Sequence, residues 1–98
     1  MSAGYAYTTI SADPGEPARV GVSFYLDERA WITVAGQDTA RPLLSVSLGE
    51  VSVTFSPTPD GVTAEDARIA RRLADEAATY AAEVERLWAA NTPGIAAA

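Results

Sequence analysis

The 98-residue sequence contains no cysteine, no histidine and no lysine. Without cysteine it can form neither a disulfide nor a thiolate zinc site. Without histidine and lysine it has no imidazole base and no amine for a Schiff base. A serine or threonine hydroxyl needs such a base to become a nucleophile. The sequence therefore predicts a protein that is not an enzyme and has no catalytic residue.

Carboxylates are the acid–base groups that remain. Asp27 and Glu28, and also Asp13 and Glu16, lie where turns are predicted, and acidic side chains in turns are usually solvated. The sequence has neither the Asp-x-Asp-x-Asp spacing of a calcium loop nor a glycine-rich loop for a phosphate. We therefore predict no metal site and no cofactor. A small-ligand or carboxylate-based enzyme domain is the third-ranked alternative for function.

Long hydrophobic runs are also missing. No stretch approaches the roughly 20 apolar residues that a membrane span needs. The first ten residues have neither the basic region nor the apolar region of a signal peptide. These absences predict a cytoplasmic protein that does not associate with a membrane.

Large apolar side chains are few, because much of the 48% hydrophobic content is alanine. A chain of this length buries only about two thirds of the surface that its unfolded form exposes. A core this thin gains stability from a partner surface. Composition alone therefore favours a homodimer.

The first 56 residues carry strand patterns. Residues 5–10 are rich in aromatic and β-branched types. The dipeptide Pro14-Gly15 then fits the two central positions of a type II turn. Residues 20–26 alternate between apolar and small or polar side chains, which predicts a strand with one buried face. Asp27-Glu28 is a predicted tight hairpin that leads to a third strand at residues 29–35.

A second group of strands is predicted between residues 42 and 56. The apolar alternation of Leu44, Val46 and Leu48 shifts by one position after Gly49-Glu50. Such a shift turns the following side chains to the other face unless the backbone absorbs it. Gly49-Glu50 is therefore either a two-residue hairpin, which gives five strands, or a bulge, which gives four. The hairpin is the favoured alternative.

One long helix is predicted over residues 63–90. Thr63 is a suitable N-cap, and Asp66 three residues later completes a capping pattern. Residues 64–90 contain neither glycine nor proline, and the helix is expected to stop at Asn91-Thr92-Pro93-Gly94. We predict ion pairs at the i,i+4 spacing, Arg71 with Asp75 and Arg72 with Glu76. Residues 91–98 are expected to form a frayed tail.

These elements predict one α+β domain over residues 1–98. An antiparallel β-meander of four to five strands in residues 1–62 precedes the long C-terminal amphipathic helix, which packs on one sheet face. The core is expected to combine apolar residues of the strands with one face of the helix. Its predicted members are Val20, Val22, Phe24, Leu26, Ile32, Val34, Leu44, Val46, Val53, Phe55, Ile69, Leu73, Ala77 and Tyr80.

The length of the helix predicts a dimer seam. Twenty-seven helical residues extend about 40 Å, whereas strands of seven or eight residues extend about 25 Å. The last turns of a helix that follows the strands would then project beyond the sheet. A helix that crosses the sheet diagonally would project less. The candidate seam consists of Tyr80, Val84, Leu87 and Trp88.

Aromatic residues of the strands predict an interaction surface. Its members are Tyr5, Tyr7, Tyr25, Trp31, Arg29 and Arg41, with Arg19 nearby in sequence. Tyrosine, tryptophan and arginine are the residue types that anchor protein interfaces. We therefore predict a non-enzymatic interaction or regulatory module that acts as a homodimer on a protein partner.

The alternative function is single-stranded nucleic-acid binding through the same aromatic sheet face. An antiparallel sheet followed by a long helix is similar in architecture to the Whirly-type single-strand DNA binders. That resemblance implies pairing through helices and an aromatic, basic sheet face. Here the net charge is −6, and residues 1–62 hold seven acids against three arginines, so the electrostatic balance disfavours a polyanion.

Overall fold

A computed structural model describes residues 3–91, and the predicted tail therefore lies, apart from Asn91, outside the described residues. The chain divides into two compact units, Met1–Pro57 and Thr58–Ala98. The first unit contains five antiparallel strands in two sheets, and the second contains one helix. The elements in chain order are β1 (Tyr5–Ser11), β2 (Arg19–Tyr25), β3 (Trp31–Ala35), β4 (Leu43–Leu48), β5 (Val51–Phe55) and α1 (Ala64–Ala90).

The α+β class with antiparallel sheets is confirmed, but the strands do not form one meander. β1 pairs with β2 in a two-stranded sheet, and β3, β4 and β5 form a three-stranded sheet in that order. The turn between the two sheets spans Asp27–Ala30, where the Ala30 N–H donates to the Asp27 carbonyl at 2.9 Å. The expected Asp27-Glu28 hairpin is wrong, because the strands on either side of this turn, β2 and β3, belong to different sheets. The Asp27 carboxylate binds the Gly4 N–H, which ties this turn to the start of β1.

Two tight turns in the first unit follow the glycine pattern of the sequence. The Glu16 N–H donates to the Asp13 carbonyl at 3.1 Å, and Gly15 has a φ of 81°. This geometry is the type II turn expected at Pro14-Gly15. Leu48 pairs directly with Val51, and Gly49 has a φ of 61°. A positive φ at the first of two loop residues is typical of a type II′ hairpin, so the five-strand alternative is confirmed.

The strand register gives the three-stranded sheet one apolar and one mostly polar face. Directly paired residues of antiparallel strands lie on the same face. The apolar face therefore consists of Ile32, Val34, Leu44, Val46, Leu48, Val51, Val53 and Phe55. The opposite face carries Trp31 and Leu43 among serine and threonine residues.

The predicted core is not buried within the described chain. Leu48, which is 5% exposed, is the one buried hydrophobic residue among residues 3–91. Phe24, Leu44, Val46 and Val53 are half-buried. A sheet or helix face is buried only where a second layer covers it. Predicted core residues that are exposed instead are Val20, Val22, Leu26, Ile32, Val34, Phe55, Ile69, Leu73, Ala77 and Tyr80.

The helix of the second unit begins as expected. Thr63 is the N-cap rather than the first helical residue, and it forms a capping box with Asp66. The Asp66 N–H donates to Thr63 Oγ1 at 3.2 Å, and the Thr63 N–H donates to the Asp66 carboxylate at 2.8 Å. These bonds satisfy two backbone donors that a helix N-terminus otherwise leaves free. The helix ends at Ala90, and the Asn91 N–H closes its last turn.

The ion pairs of α1 differ from the expected ones. They form at the i,i+3 spacing, between Arg68 and Glu65 and between Arg86 and Glu83. Within residues 3–91, neither Arg71 nor Arg72 forms an ion pair. No helix in this range is both long and apolar enough to cross a membrane. Taken by itself, α1 buries none of its side chains, and its packing on a sheet face stays a prediction.

The Gly49 turn yields a test of the β4–β5 hairpin. We expect Gly49→Ala to lower the free energy of unfolding by about 1–2 kcal/mol, because a β-carbon disfavours the positive φ of this position. A β-carbon at Gly49 would meet no atom within 4 Å, so the loss reports backbone conformation alone. Urea unfolding of the variant and of the matched Glu50→Ala control measures it. Equal losses in both variants would contradict the type II′ turn.

Candidate interaction surface

Three tyrosines form a cluster on one face of the β1–β2 sheet. Tyr5 pairs directly with Tyr25, and Tyr7 lies two residues along the same strand face, opposite Ser23. The ring centroids of Tyr5 and Tyr25 are 4.7 Å apart, and those of Tyr7 and Tyr25 are 5.8 Å apart. All three ring pairs are stacked, with interplanar angles of 27° or less. We call Tyr5, Tyr7 and Tyr25 the tyrosine platform.

Two phenols of the tyrosine platform interact with each other. The hydroxyl oxygens of Tyr7 and Tyr25 are 3.4 Å apart. The hydrogen bond from Tyr25, together with one from Ser23, lowers the pKa of Tyr7. The same bond to Tyr7, and the nearby charges of Tyr7 and Tyr5, raise the pKa of Tyr25. Either hydroxyl can donate in this contact, which links the edges of the two rings.

The tyrosine platform is exposed to solvent, and Arg19 lies on the same sheet face. Its side chains are 42–56% exposed, although aromatic residues usually bury most of their area. Arg19 pairs with Ser11 and therefore lies on the same sheet face, at the far end of the hairpin. Residues 19, 21, 23 and 25 are alternate positions of β2, and alternate residues of a strand lie on the same face. This alternation is the sequence signal that could have placed Arg19 on the same face as Tyr25.

Arg29 is held in a clasp with Asp27 and Gly4. The Arg29 guanidinium lies 2.9 Å from the Asp27 carboxylate and donates to the Gly4 carbonyl at 3.0 Å. The Gly4 N–H donates to Asp27 Oδ2, the same carboxylate oxygen that the guanidinium contacts, at 2.8 Å. A β-carbon at Gly4 would clash with the Tyr25 carbonyl oxygen. Asp27 was expected to be a solvated turn acid, but it joins the turn to β1.

The clasp sets the charge state of its members. The Arg29 guanidinium and the N–H groups of Gly4 and Arg29 hold the pKa of Asp27 far below its usual range. The Asp27 carboxylate in turn raises the pKa of Arg29. Asp27 is thus an anion with a structural role and a poor proton donor. Arg29, a predicted interaction residue, has its charge compensated within the chain.

Trp31 and Arg41 do not join the tyrosine platform. Trp31 begins β3, which belongs to the three-stranded sheet, and it is 67% exposed on the serine- and threonine-rich face. Arg41 lies in the loop after the other end of β3, where its backbone N–H donates to Thr39 Oγ1. The length of β3 therefore separates these two residues. Of the six predicted surface residues, the structure brings together the three tyrosines, and Arg29 binds Gly4, the residue before Tyr5.

The four residues of the candidate dimer seam share one face of α1. Tyr80, Val84, Leu87 and Trp88 recur at the spacing of successive helical turns. Each of them is exposed, from 45% for Val84 to 68% for Tyr80. The seam is thus an apolar face that α1 by itself leaves exposed.

Comparison with known proteins gives no match: no family model, no curated protein and no solved structure is similar to this chain. Within the part of the chain that the structure describes, no three acidic side chains lie close enough to hold a metal ion. The function has to be inferred from the two exposed surfaces, the tyrosine platform and the face of α1.

The clasp predicts a pH-dependent stability. Asp27 has a lowered pKa, so its stabilisation is complete above pH ~4, where the unfolded side chain is ionised, and is lost as pH falls towards the folded pKa. We expect Asp27→Asn to melt below the wild type at pH 7, and the difference to shrink as the pH falls below about 4. Circular dichroism melts at several pH values measure this, with Asp60→Asn as the control. Equal melting temperatures at pH 7 would show that the clasp adds no stability.

Proposed function

We propose that this chain is a small non-enzymatic interaction module that acts as a homodimer. The end of α1 forms the dimer seam, and the tyrosine platform is the surface offered to a protein partner. The exposed apolar face of α1 carries this proposal. The helix has 27 residues and buries none of them by itself.

The energy of the uncovered helix face supports association. Most of the stability of a helix in a protein comes from the packing of its apolar face. Full burial of a side chain such as Val84 or Leu87 contributes about 1.5–3 kcal/mol. A partner that covers the seam therefore supplies stabilisation comparable with the net stability of a small domain. Two-fold homodimers are the most common way in which soluble proteins supply such a partner.

The tyrosine platform supports a protein partner as its target. Exposed, preorganised tyrosines offer large contact areas at a low cost in side-chain entropy, and they are enriched among residues that dominate binding energy. The surrounding charge is unfavourable for a polyanion, because the net charge is −6 and Arg29 is compensated by Asp27. A partner with a neutral or basic surface fits these observations.

The dimer is tested by the solution mass. We expect the wild type to have a mass near twice 10.2 kDa, and Leu87→Glu/Trp88→Glu to have half that mass, because two carboxylates would be buried without partners. Light scattering measures both. The matched control, Thr79→Glu/Ala82→Glu, adds the same charge on the opposite side of α1 and should remain dimeric. A monomeric wild type would contradict the proposal and favour packing of α1 on its own sheet.

A second candidate function is single-stranded nucleic-acid binding. Arg19 favours it, because this arginine lies on the same sheet face as the stacked tyrosines. Bases stack on aromatic rings while arginine contacts the phosphates, and this combination tolerates many sequences. For this second function, Arg19 would have to outweigh the repulsion between a nucleic acid and a protein with a net charge of −6.

A fluorescent single-stranded oligonucleotide separates the two functions. The protein-partner proposal predicts no binding at physiological salt. The second candidate predicts salt-sensitive binding that is weakened in both Tyr7→Ala and Arg19→Ala. Arg68→Ala, which removes an arginine from α1, is the matched control for the loss of charge. Binding that is lost in Tyr7→Ala and Arg19→Ala but kept in Arg68→Ala would contradict the protein-partner proposal and support nucleic-acid binding.

A further inference from the structure

Two phenols of the tyrosine platform meet at their reactive edges. Oxidised tyrosine rings couple through the carbons that flank the hydroxyl group. The hydroxyl oxygens of Tyr7 and Tyr25 are 3.4 Å apart, so the flanking carbons belong to the ring edges that are in contact. The ring centroids are 5.8 Å apart, and the ring planes differ by 16°. The two rings are therefore already arranged for a bond between these edges.

The register of β1 and β2 produces this contact. Tyr7 pairs directly with Ser23, so no large side chain lies opposite its ring. Tyr25 is the diagonal neighbour, and diagonal neighbours of antiparallel strands lie within reach of aromatic side chains. Tyr5 stacks on Tyr25 with centroids 4.7 Å apart, but within residues 3–91 its hydroxyl forms no hydrogen bond with the other two phenols. Hydroxyl contact thus distinguishes Tyr7 and Tyr25 from the other pairs of the tyrosine platform.

The pair is accessible to a dissolved oxidant. Tyr7 is 42% exposed, and Tyr25 is 48% exposed. The sequence contains no cysteine, and thiols are the side chains that most readily reduce a tyrosyl radical. A radical formed on one of these rings therefore has no thiol of its own chain to remove it, and the nearest reaction partner is the other ring.

The hydrogen bonds of Tyr7 favour its oxidation. The bond with the Tyr25 hydroxyl, followed by the bond with Ser23, lowers the pKa of Tyr7. The same contact raises the pKa of Tyr25. A phenol that gives up its proton more readily also gives up an electron more readily, because the phenolate is the easier form to oxidise. Tyr7 is therefore the member of the pair on which oxidation starts.

We infer that Tyr7 and Tyr25 form an oxidative modification site, at which a one-electron oxidant driven by hydrogen peroxide joins the two rings as a dityrosine. Each phenol loses one electron and one proton, and the two radicals combine in a carbon–carbon bond between positions beside the hydroxyl groups. The hydrogens of the joined carbons move to the two oxygens, which restores both hydroxyl groups. Hydrogen peroxide takes up the two electrons and two protons and becomes two molecules of water. This modification is independent of the proposed homodimer and of the proposed partner.

The new bond would fasten β1 to β2. A two-stranded sheet is marginally stable in water, and a chain without cysteine has no disulfide to support it. Tyr7 and Tyr25 are 18 residues apart in sequence, so a bond between them closes a loop and constrains the unfolded chain as a disulfide does. Oxidation would therefore stabilise the hairpin that carries the tyrosine platform.

Treatment with a peroxidase and hydrogen peroxide tests the site. We expect the folded wild type to gain dityrosine fluorescence and to lose two hydrogens by mass spectrometry, while it still migrates as a single chain on a denaturing gel. Trypsin cleaves after arginine, so it separates residues 1–19, which contain Tyr7, from residues 20–29, which contain Tyr25. In the oxidised protein these two peptides should remain joined.

Conservative variants assign the bond to its two rings. Tyr7→Phe and Tyr25→Phe each remove a hydroxyl and keep the ring, and we expect the joined peptides to be lost in both. Tyr5→Phe, in the same cluster, and Tyr80→Phe, on α1, are the matched controls and should keep the joined peptides. Oxidation of the wild type in urea should give a lower yield, because the unfolded chain does not hold the two rings together.

Three outcomes would overturn the inference. Dityrosine found only in covalently linked pairs of chains would place the coupling between molecules. Joined peptides that are kept in Tyr7→Phe and lost in Tyr5→Phe would assign the bond to Tyr5 and Tyr25. An equal yield from folded and unfolded protein would show that the folded contact does not direct the reaction. The solution mass that tests the homodimer is measured without oxidant, so the two proposals fail separately.

Amide hydrogen exchange tests the fastening of the hairpin. We expect exchange in β1 and β2 to slow about tenfold or more after oxidation, because the bond disfavours the open hairpin. Exchange in α1 should stay unchanged. Tyr7→Phe treated with the same oxidant is the control for other oxidation products. Unchanged exchange in the two strands of the coupled protein would overturn the stabilising role of the bond.

Discussion

Burial of apolar surface is the main favourable term in folding, and in this chain it is incomplete within each unit. The apolar face of β3, β4 and β5 is largely open, and α1 buries no side chain by itself. A two-stranded sheet and a single helix are both marginal in water without a further layer. Stability therefore requires a covering layer for these faces, and the proposed homodimer would supply one for α1.

Electrostatics narrows the class of partner. Of the arginines expected to serve the interaction surface, Arg29 is bound to Asp27 and Gly4, and Arg41 lies in a loop of the other sheet. Arg19 alone lies on the face of the tyrosine platform. Affinity for a nucleic acid depends on several neutralised phosphates, whereas tyrosine-rich protein interfaces depend mainly on contact area. The geometry thus supports a protein partner better than a polyanion.

Local rules account for what could be predicted from the sequence. The Thr63–Asp66 capping box and the Gly15 and Gly49 turns each depend on neighbours within a few residues, and all three are confirmed. The division into two sheets depends on which strands pair with each other, and local propensities carry no such information. Most predicted core residues are exposed, and the packing of α1 on a sheet face, on which that core depends, stays a prediction. Strand alternation identifies an apolar face but not the layer that covers it.

A homodimer changes what the tyrosine platform can do. Each chain carries one tyrosine platform, so a two-fold dimer presents two. A partner with two matching sites, or a partner that is itself dimeric, binds the second site at a high effective concentration and gains affinity without any new contact. The three exposed tyrosines form a small surface, whose contact area alone supports weak binding. Pairing through α1 would therefore serve both needs of this chain, because it covers the helix and makes a weak surface effective by doubling it.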